Sequence, residues 1–489
     1  VLILFLIFNL FLSGNPSQKP AYNKKLVKLI EQLQNTPTLK NAHWSIYAEY
    51  VDTGKPIISL NSQKSMTPGS GLKVFTTSTA LNVLGPDYRY KTKLFYDGTI
   101  NSDSTLHGNL YIVGGGDPTL GSDLVKGSQS LDSLMQSWAT AIKIAGINTI
   151  DGSVIADNTL FDPQTVPDFW QWMDMGNYYG AGVNALSIHN NMYHLYFKPG
   201  KQYGDSAEVL RMEPNIPGLH FINEMKTGFR GSGDQGYIYC APRQYTALLK
   251  GTVPAGVSEF SIKGAIPDPA LFAAQFLSSW LNQHKIAVIK KAKLLKSSKV
   301  YDPSNVIVTS YSPPLKDIVY ITNKKSDNLY AETLLKTLAL RKTVDGSTRM
   351  GTRFLKSYLR KHGIPMAGFR IYDGCGLSRT DVITTKAMVK LLEFMTHQPT
   401  FSDFYRSLAI VGDKQDIGYF RNFGSHTILA DNARIKSGLL TKVRSHSGYL
   451  RDRAGRLIAF SMIANNYTGN YHRIDRIHKE IMLRLAELH

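Results

Sequence analysis

A serine and a lysine three residues apart, Ser70 and Lys73, stand in the run "TPGSGLKVFTTSTALNVLG", where a Pro-Gly turn hands over to a largely apolar stretch. At the start of a helix, residues i and i+3 share a face. The hydroxyl and the amine can therefore meet, and an alcohol can pass its proton to an amine. Alone, the pair fits a capped helix with a solvated lysine equally well. Two further stretches carry complementary groups. Ser326-Asp327-Asn328 precedes an amphipathic run and offers a hydroxyl and a carboxamide, although all three residue types also cap helices. Lys436-Ser437-Gly438 opens an apparent strand, where glycine lets another backbone approach and lysine followed by a hydroxyl suits a carboxylate. A polar edge strand guarded by a lysine has the same composition.

The elements that must position these groups are legible around them. "NAHWSIYAEYVDTGKPIISL" alternates as two strands about an Asp-Thr-Gly-Lys turn. "ARIKSGLLTKVRSHSGYLRDRAGRLIAFSMIANNY" reads as three strands, the last two joined at Arg453-Ala454-Gly455, and "RIDRIHKEIMLRLAEL" as a closing helix. Between about Tyr88 and Val300 the texture changes to short strands and turns, including the aromatic-dense "VPDFWQWMDMGNYYGAGVNALSIHNNMYHLYF". The expected fold class is α+β, with helices and an antiparallel sheet bracketing a large insertion.

The chain has 489 residues, too many for one core. A formal net charge of +19 favours anionic partners. No dense Lys/Arg block and no zinc-finger spacing is evident, so nucleic acid is not an expected partner. The opening "VLILFLIFNLFL" is shorter than the roughly 20 apolar residues that span a bilayer. It reads as the core of an export signal, a leader over residues 1–20, placing the protein in the periplasm or cell envelope with peripheral membrane association left open. Cys240 and Cys375 are far apart and the histidines show no ligand spacing, so two separate thiols, no metal and no cofactor are expected.

Taken together, S-x-x-K, S-D-N and K-[ST]-G in that order form the signature of penicillin-binding serine acyltransferases and serine β-lactamases. The long separation of the first two motifs, with "VGGGDPTL", "YYGAGVNAL", "SDNLYAE", "DGCGLSR" and "FSMIANNY", resembles the D-alanyl-D-alanine carboxypeptidase/endopeptidase family. These are the class C low-molecular-weight penicillin-binding proteins, peptidase family S13, and the likeness runs from roughly residue 25 to the C-terminus. The resemblance implies a penicillin-binding-protein/serine β-lactamase-like domain over 21–87 and 300–489. Two nested, mainly β inserted domains would cover 88–160 with 231–299, and 161–230.

It further implies Ser70 as nucleophile, Lys73 as its base, Ser326 as proton bridge to the leaving amine and Asn328 as the group holding the acyl-chain amide. Lys436 would bind the terminal carboxylate with Ser437, in a substrate-binding strand that includes Gly438, Leu439 and Leu440. The backbone N–H groups of Ser70 and Leu439 would stabilise the oxyanion. Asp174, Tyr179 and Arg379 would form a pocket for the charged end of the cross-linking residue. Peptidoglycan peptides would be substrates and β-lactams covalent inhibitors. Two residues depart from the family pattern: Leu439 replaces a Thr or Ser, and Cys375 replaces a Ser. A β-lactamase or esterase on the same scaffold, or a non-catalytic envelope protein binding anionic wall polymer, are the alternatives.

Overall fold

The computed structural model describes residues 23–489, so the expected leader lies outside the described residues. Its organising element is a six-stranded antiparallel sheet. The strands run, in spatial order, Ala409–Ile410, Arg434–Leu440, Val443–Arg451, Leu457–Asn465, His43–Tyr50 and Pro56–Leu60. The first hairpin of the described chain therefore pairs with the last. Alternation along each strand splits the side chains between two cores. Ala459 and Ile463 pack with Leu72, Val74, Phe75 and Leu334, whereas Ile458, Phe460 and Met462 pack with Leu26, Ile30, Ile474 and Ile481.

The helix Lys73–Leu84 lies in the first of these layers, and every residue from Lys73 to Leu81 is buried. A helix buried on all sides needs its polar groups satisfied internally, since an orphaned buried donor or acceptor costs about 1–3 kcal/mol. Thr77 Oγ1 donates to the Lys73 carbonyl at 2.7 Å and Thr76 Oγ1 to the Gly374 carbonyl at 2.7 Å. No helix among the described residues is long and apolar enough to cross a membrane.

The insertion holds a five-stranded sheet, a four-stranded sheet and two three-stranded sheets around a core that includes Leu94, Ile112, Trp138, Phe197, Leu249 and Phe272. Strand pairing shifts the expected boundaries. His220–Gly228 pairs with Thr246–Pro254, and Met192–Lys198 with Phe260–Ala265, so a boundary at 230/231 would cut through two sheets. Val306–Tyr311 pairs with Lys91–Tyr96, which carries the insertion past residue 300. We propose 161–265 as the inner unit and 88–160 with 266–311 as the outer one.

Behind the sheet runs a chain of buried rings. Trp44 Nε1 donates to His478 Nε2 at 3.0 Å, the His478 and His446 Nδ1 atoms lie 2.9 Å apart, and His446 Nε2 faces Asp475 Oδ1 at 3.5 Å. An indole N–H only donates, so His478 carries its proton on Nδ1 and gives it to His446, whose own proton then points at Asp475. Both rings are neutral. Burial, reinforced by Arg444, lowers His478 from 6.5 to about 3. The unfolded chain takes up this proton near pH 6.5 and the folded chain does not, so the stability is full above 6.5 and is lost as pH falls towards 3. Urea unfolding at pH 7, 6 and 5 should show the advantage of wild type over His478→Gln shrinking by about 1.4 kcal/mol per unit below 6.5. A gap independent of pH would contradict the neutral-ring chain.

Candidate active site

Ser70 sits in a tight turn, Gly69–Leu72, and the α-helix begins only at Lys73. Residues i and i+3 eclipse in such a turn, so the expected pairing survives the shift of the helix start. The turn is gripped from two sides at distances only glycine permits. A Cβ on Gly438 would lie 2.1 Å from the Pro68 carbonyl oxygen and 2.8 Å from the Gly71 nitrogen. One on Gly376 would lie 1.9 Å from the Gly69 carbonyl oxygen. Ser445 Oγ adds a hydrogen bond to the Pro68 carbonyl at 2.6 Å. The strand Arg434–Leu440 and the loop Asp373–Arg379 thus fix the serine between them, and the Leu439 amide nitrogen lies beside Gly69.

Lys73 is fully buried, and its Nζ lies 2.9 Å from Ser70 Oγ, 2.6 Å from Asn328 Oδ1 and 2.9 Å from the Cys375 carbonyl oxygen. Burial pulls the amine below the ordinary lysine range, opposed by Cys375, Asp373, Asp327 and Glu332. Asn328 cannot turn its amide round, because Nδ2 donates to the Tyr179 carbonyl at 2.7 Å. Two of the three partners of Lys73 are therefore oxygens that only accept. In the neutral amine they take both N–H groups, and the lone pair faces the Ser70 hydroxyl.

The triplet Ser326-Asp327-Asn328 divides into three roles. Asp327 is the helix cap, accepting from the Tyr330 N–H at 2.9 Å, and Asn328 is the first residue of the helix Asn328–Ala339. Ser326 takes the left-handed conformation, φ 60°, which costs a residue other than glycine on the order of 1–2 kcal/mol. It is held there between two helices, the preceding one anchored by a buried Lys324–Asp416 ion pair. Its Oγ accepts from Lys436 Nζ at 3.0 Å. Lys436 also donates to the Ser437 carbonyl at 2.8 Å, and burial, with Lys73 and Arg444, drives its pKa well below the ordinary value.

Behind Lys73 lies an acidic knot. Asp373 accepts four N–H groups, from Trp170 Nε1 and from the backbone of Cys375, Gly376 and Ser378, at 2.6–3.1 Å. Glu332 accepts from the Gly374 N–H at 2.7 Å, and burial pushes its carboxyl up to about 8, so it is neutral at pH 7. Donor atoms of Glu332, Asp373 and Cys375 lie within 4.8 Å of one another, but both Asp373 oxygens are already taken by N–H groups. The knot shapes the loop that presents the Cys375 carbonyl. Both cysteines are free and buried.

Asp174, Tyr179 and Arg379 form a second group. Asp174 is buried, which raises its pKa, while Arg379 and a hydrogen bond from the Tyr179 hydroxyl at 3.3 Å oppose that rise. Arg379 Nη1 reaches the Thr441 carbonyl at 3.4 Å. Leu440 packs against the cluster of Trp170 and Leu377, and Leu439 is exposed. Tyr179 belongs to both groups, its hydroxyl on Asp174 and its carbonyl on Asn328. The carbonyls of Tyr179 and Cys375 went unforeseen because backbone atoms leave no mark on residue identity. Ser445 carried no sequence signal at all.

A sheet backed by a buried helix, with these three motifs converging on one serine, defines the penicillin-binding-protein and serine β-lactamase-like class. The chain belongs to the D-Ala-D-Ala carboxypeptidase 3 (S13) family, whose pattern matches residues 26–487. It is 25% identical over 476 residues to the D-alanyl-D-alanine carboxypeptidase of Actinomadura, covering 94% of this chain and 85% of that protein. It is 25% identical over 427 residues to the D-alanyl-D-alanine carboxypeptidase DacB of Haemophilus influenzae, covering 86% of this chain and 85% of that one. The crystal structure of penicillin binding protein 4 from Haemophilus influenzae has the same fold, with a TM-score of 0.80 at 22% identity over 95% of this chain and 99% of the other. A second structure of that protein, TM-score 0.74 at 22% identity over 94% and 98%, holds a β-lactam.

The strain at Ser326 gives a direct test. Ser326→Gly should be more stable than Ser326→Ala by about 1 kcal/mol in urea unfolding, because only glycine enters the left-handed region freely. Equal stability of the two variants would show that the backbone there is unstrained.

Proposed function

We propose that this protein is a serine D-Ala-D-Ala carboxypeptidase and endopeptidase that cleaves peptidoglycan stem peptides and cross-links through an acyl-enzyme on Ser70. The observation that carries the reading is the Lys73 amine, buried and fixed by two obligate acceptors with its third contact on Ser70 Oγ. A serine hydroxyl needs such an adjacent base to act as a nucleophile. Lys73 takes the Ser70 proton as Oγ attacks the carbonyl carbon of the penultimate D-alanine. The C–N bond then breaks, and the proton passes through the Ser326 hydroxyl to the departing amine. Water attacks the ester, and its proton returns Ser70 to the hydroxyl form.

Lys436 and Ser437 receive the carboxylate of the leaving group. That anion keeps Lys436 charged, and a cation there disfavours a proton on Lys73, so substrate binding favours the basic form of the base. The N–H groups of Ser70 and Leu439 face the oxyanion. Asn328 acts first on Lys73, since both ends of its carboxamide are engaged. The exposed Leu439 lends no hydroxyl to the carboxylate, which leaves that task to Ser437. The peptidoglycan substrate places the protein in the cell envelope, and the β-lactam held by the Haemophilus influenzae protein supports β-lactams as covalent inhibitors of this one.

Intact mass after incubation with benzylpenicillin tests the reading. One drug mass should appear on wild type and none on Ser70→Ala of unchanged thermal stability. Labelling that persists on the variant would move the nucleophile elsewhere, and a label shed within seconds would make the protein a β-lactamase.

Asp174 is proposed to meet the side-chain ammonium of the substrate's cross-linking residue. Asp174→Asn should then narrow the preference for a peptide with a free side-chain amine over its acetylated form by about 1.5–3 kcal/mol in kcat/KM. Penicillin acylation should hardly change. Equal losses on both peptides would assign Asp174 to the fold alone.

A further inference from the structure

Six lysines and no acidic residue occupy the stretch "HKIAVIKKAKLLKSSK", residues 284–299, contrary to the expectation of no dense basic block. The stretch runs along the rim of the insertion. Ala287–Val288 is the outermost strand of the four-stranded sheet, and Lys293–Leu294 is outermost in the five-stranded sheet. Between and beyond them the backbone stays bonded inwards, Ile289 and Lys290 to Ile150 and Gly152, and Leu295 to Ala156. The inner side is thus spent on the sheets, and Lys285, Lys290, Lys291, Lys293, Lys296 and Lys299 are all exposed.

Only two of the six have a carboxylate within 4.0 Å: Lys290 reaches Asp151 at 3.9 Å and Lys299 reaches Asp97 at 2.9 Å. Lys285, Lys291, Lys293 and Lys296 make no ion pair among the described residues. Lysine on an edge strand helps to keep it from pairing with another chain, and edge strands as short as these are already poor templates. Four uncompensated cations in twelve residues exceed that need, and their mutual repulsion is relieved only when anions arrive.

We infer that this lysine-lined rim is a docking surface for a linear polyanion, a polymer chain bearing phosphodiester charges. Its shape selects the occupant. The cations are spread along one stretch of chain that passes over the edges of two sheets, a course that a flexible polymer can follow more readily than a flat lipid surface. All six cations are lysines, point charges on flexible stems that need no fixed planar geometry in the partner and so suit a flexible chain of separated charges. The rim is built from other strands than those that hold Ser70, so the inference stands apart from the acyl-enzyme reading.

The test is binding of the full chain to poly(glycerol phosphate) over a salt series, beside phosphatidylglycerol vesicles. The triple variant Lys291→Gln, Lys293→Gln, Lys296→Gln removes three cations that have no partner to lose. Wild type should bind the polymer with strong salt dependence. The variant should lower the slope of log K against log salt by about 2, at about 0.7 per phosphate contact on a single chain. Penicillin labelling should be unchanged. An unaltered slope, no binding at low salt, or binding to vesicles without binding to the polymer would overturn the inference. So would a variant that self-associates while wild type ignores the polymer, since the lysines would then only guard the edge.

Discussion

The site depends on one buried amine. Lys73 has no contact with water and three oxygens around Nζ, two of them fixed acceptors. Burial disfavours its ammonium form, and a substrate anion that keeps Lys436 charged would act in the same direction. Against these stand the carboxylates behind it. Neutralising Glu332 by burial limits that opposing negative charge, so the acidic knot can shape the Cys375 loop without holding Lys73 fully protonated.

Position matters as much as charge. Four hydrogen bonds in series, Asp174 to the Tyr179 hydroxyl and then the Tyr179 carbonyl through Asn328 and Lys73 to Ser70, tie the insertion to the proposed nucleophile. The insertion therefore contributes to the position of Lys73, the proposed base. On the other side, Gly438 and Gly376 let a strand and a loop press on the turn that carries Ser70. Any side chain at either place would meet backbone, which does not yield.

Much of this was legible in the sequence because side-chain chemistry and spacing carry it. The three motifs appear in order, the strands alternate cleanly, and the turn at Arg453-Ala454-Gly455 separates the last two strands as expected. The boundaries of the insertion were not legible. They depend on which of several short strands pair, and Thr246–Pro254 accepts a parallel partner on one side and an antiparallel one on the other. The contacts of Asn328 were not legible for a similar reason: its immediate partners are a lysine 255 positions away and a backbone carbonyl. The lysine rim was overlooked because its cations are spaced among apolar residues, and only pairing shows that they share an edge.

The central claim is that Lys73 is a base at neutral pH. It is tested most directly by the second-order rate constant of penicillin acylation from pH 5 to pH 10, followed by intact mass. A base held low by burial predicts a rising limb centred below the ordinary lysine value of about 10.4, levelling off within this range. A rate that climbs tenfold per unit through pH 10 would show an ordinary ammonium at Lys73 and contradict the account.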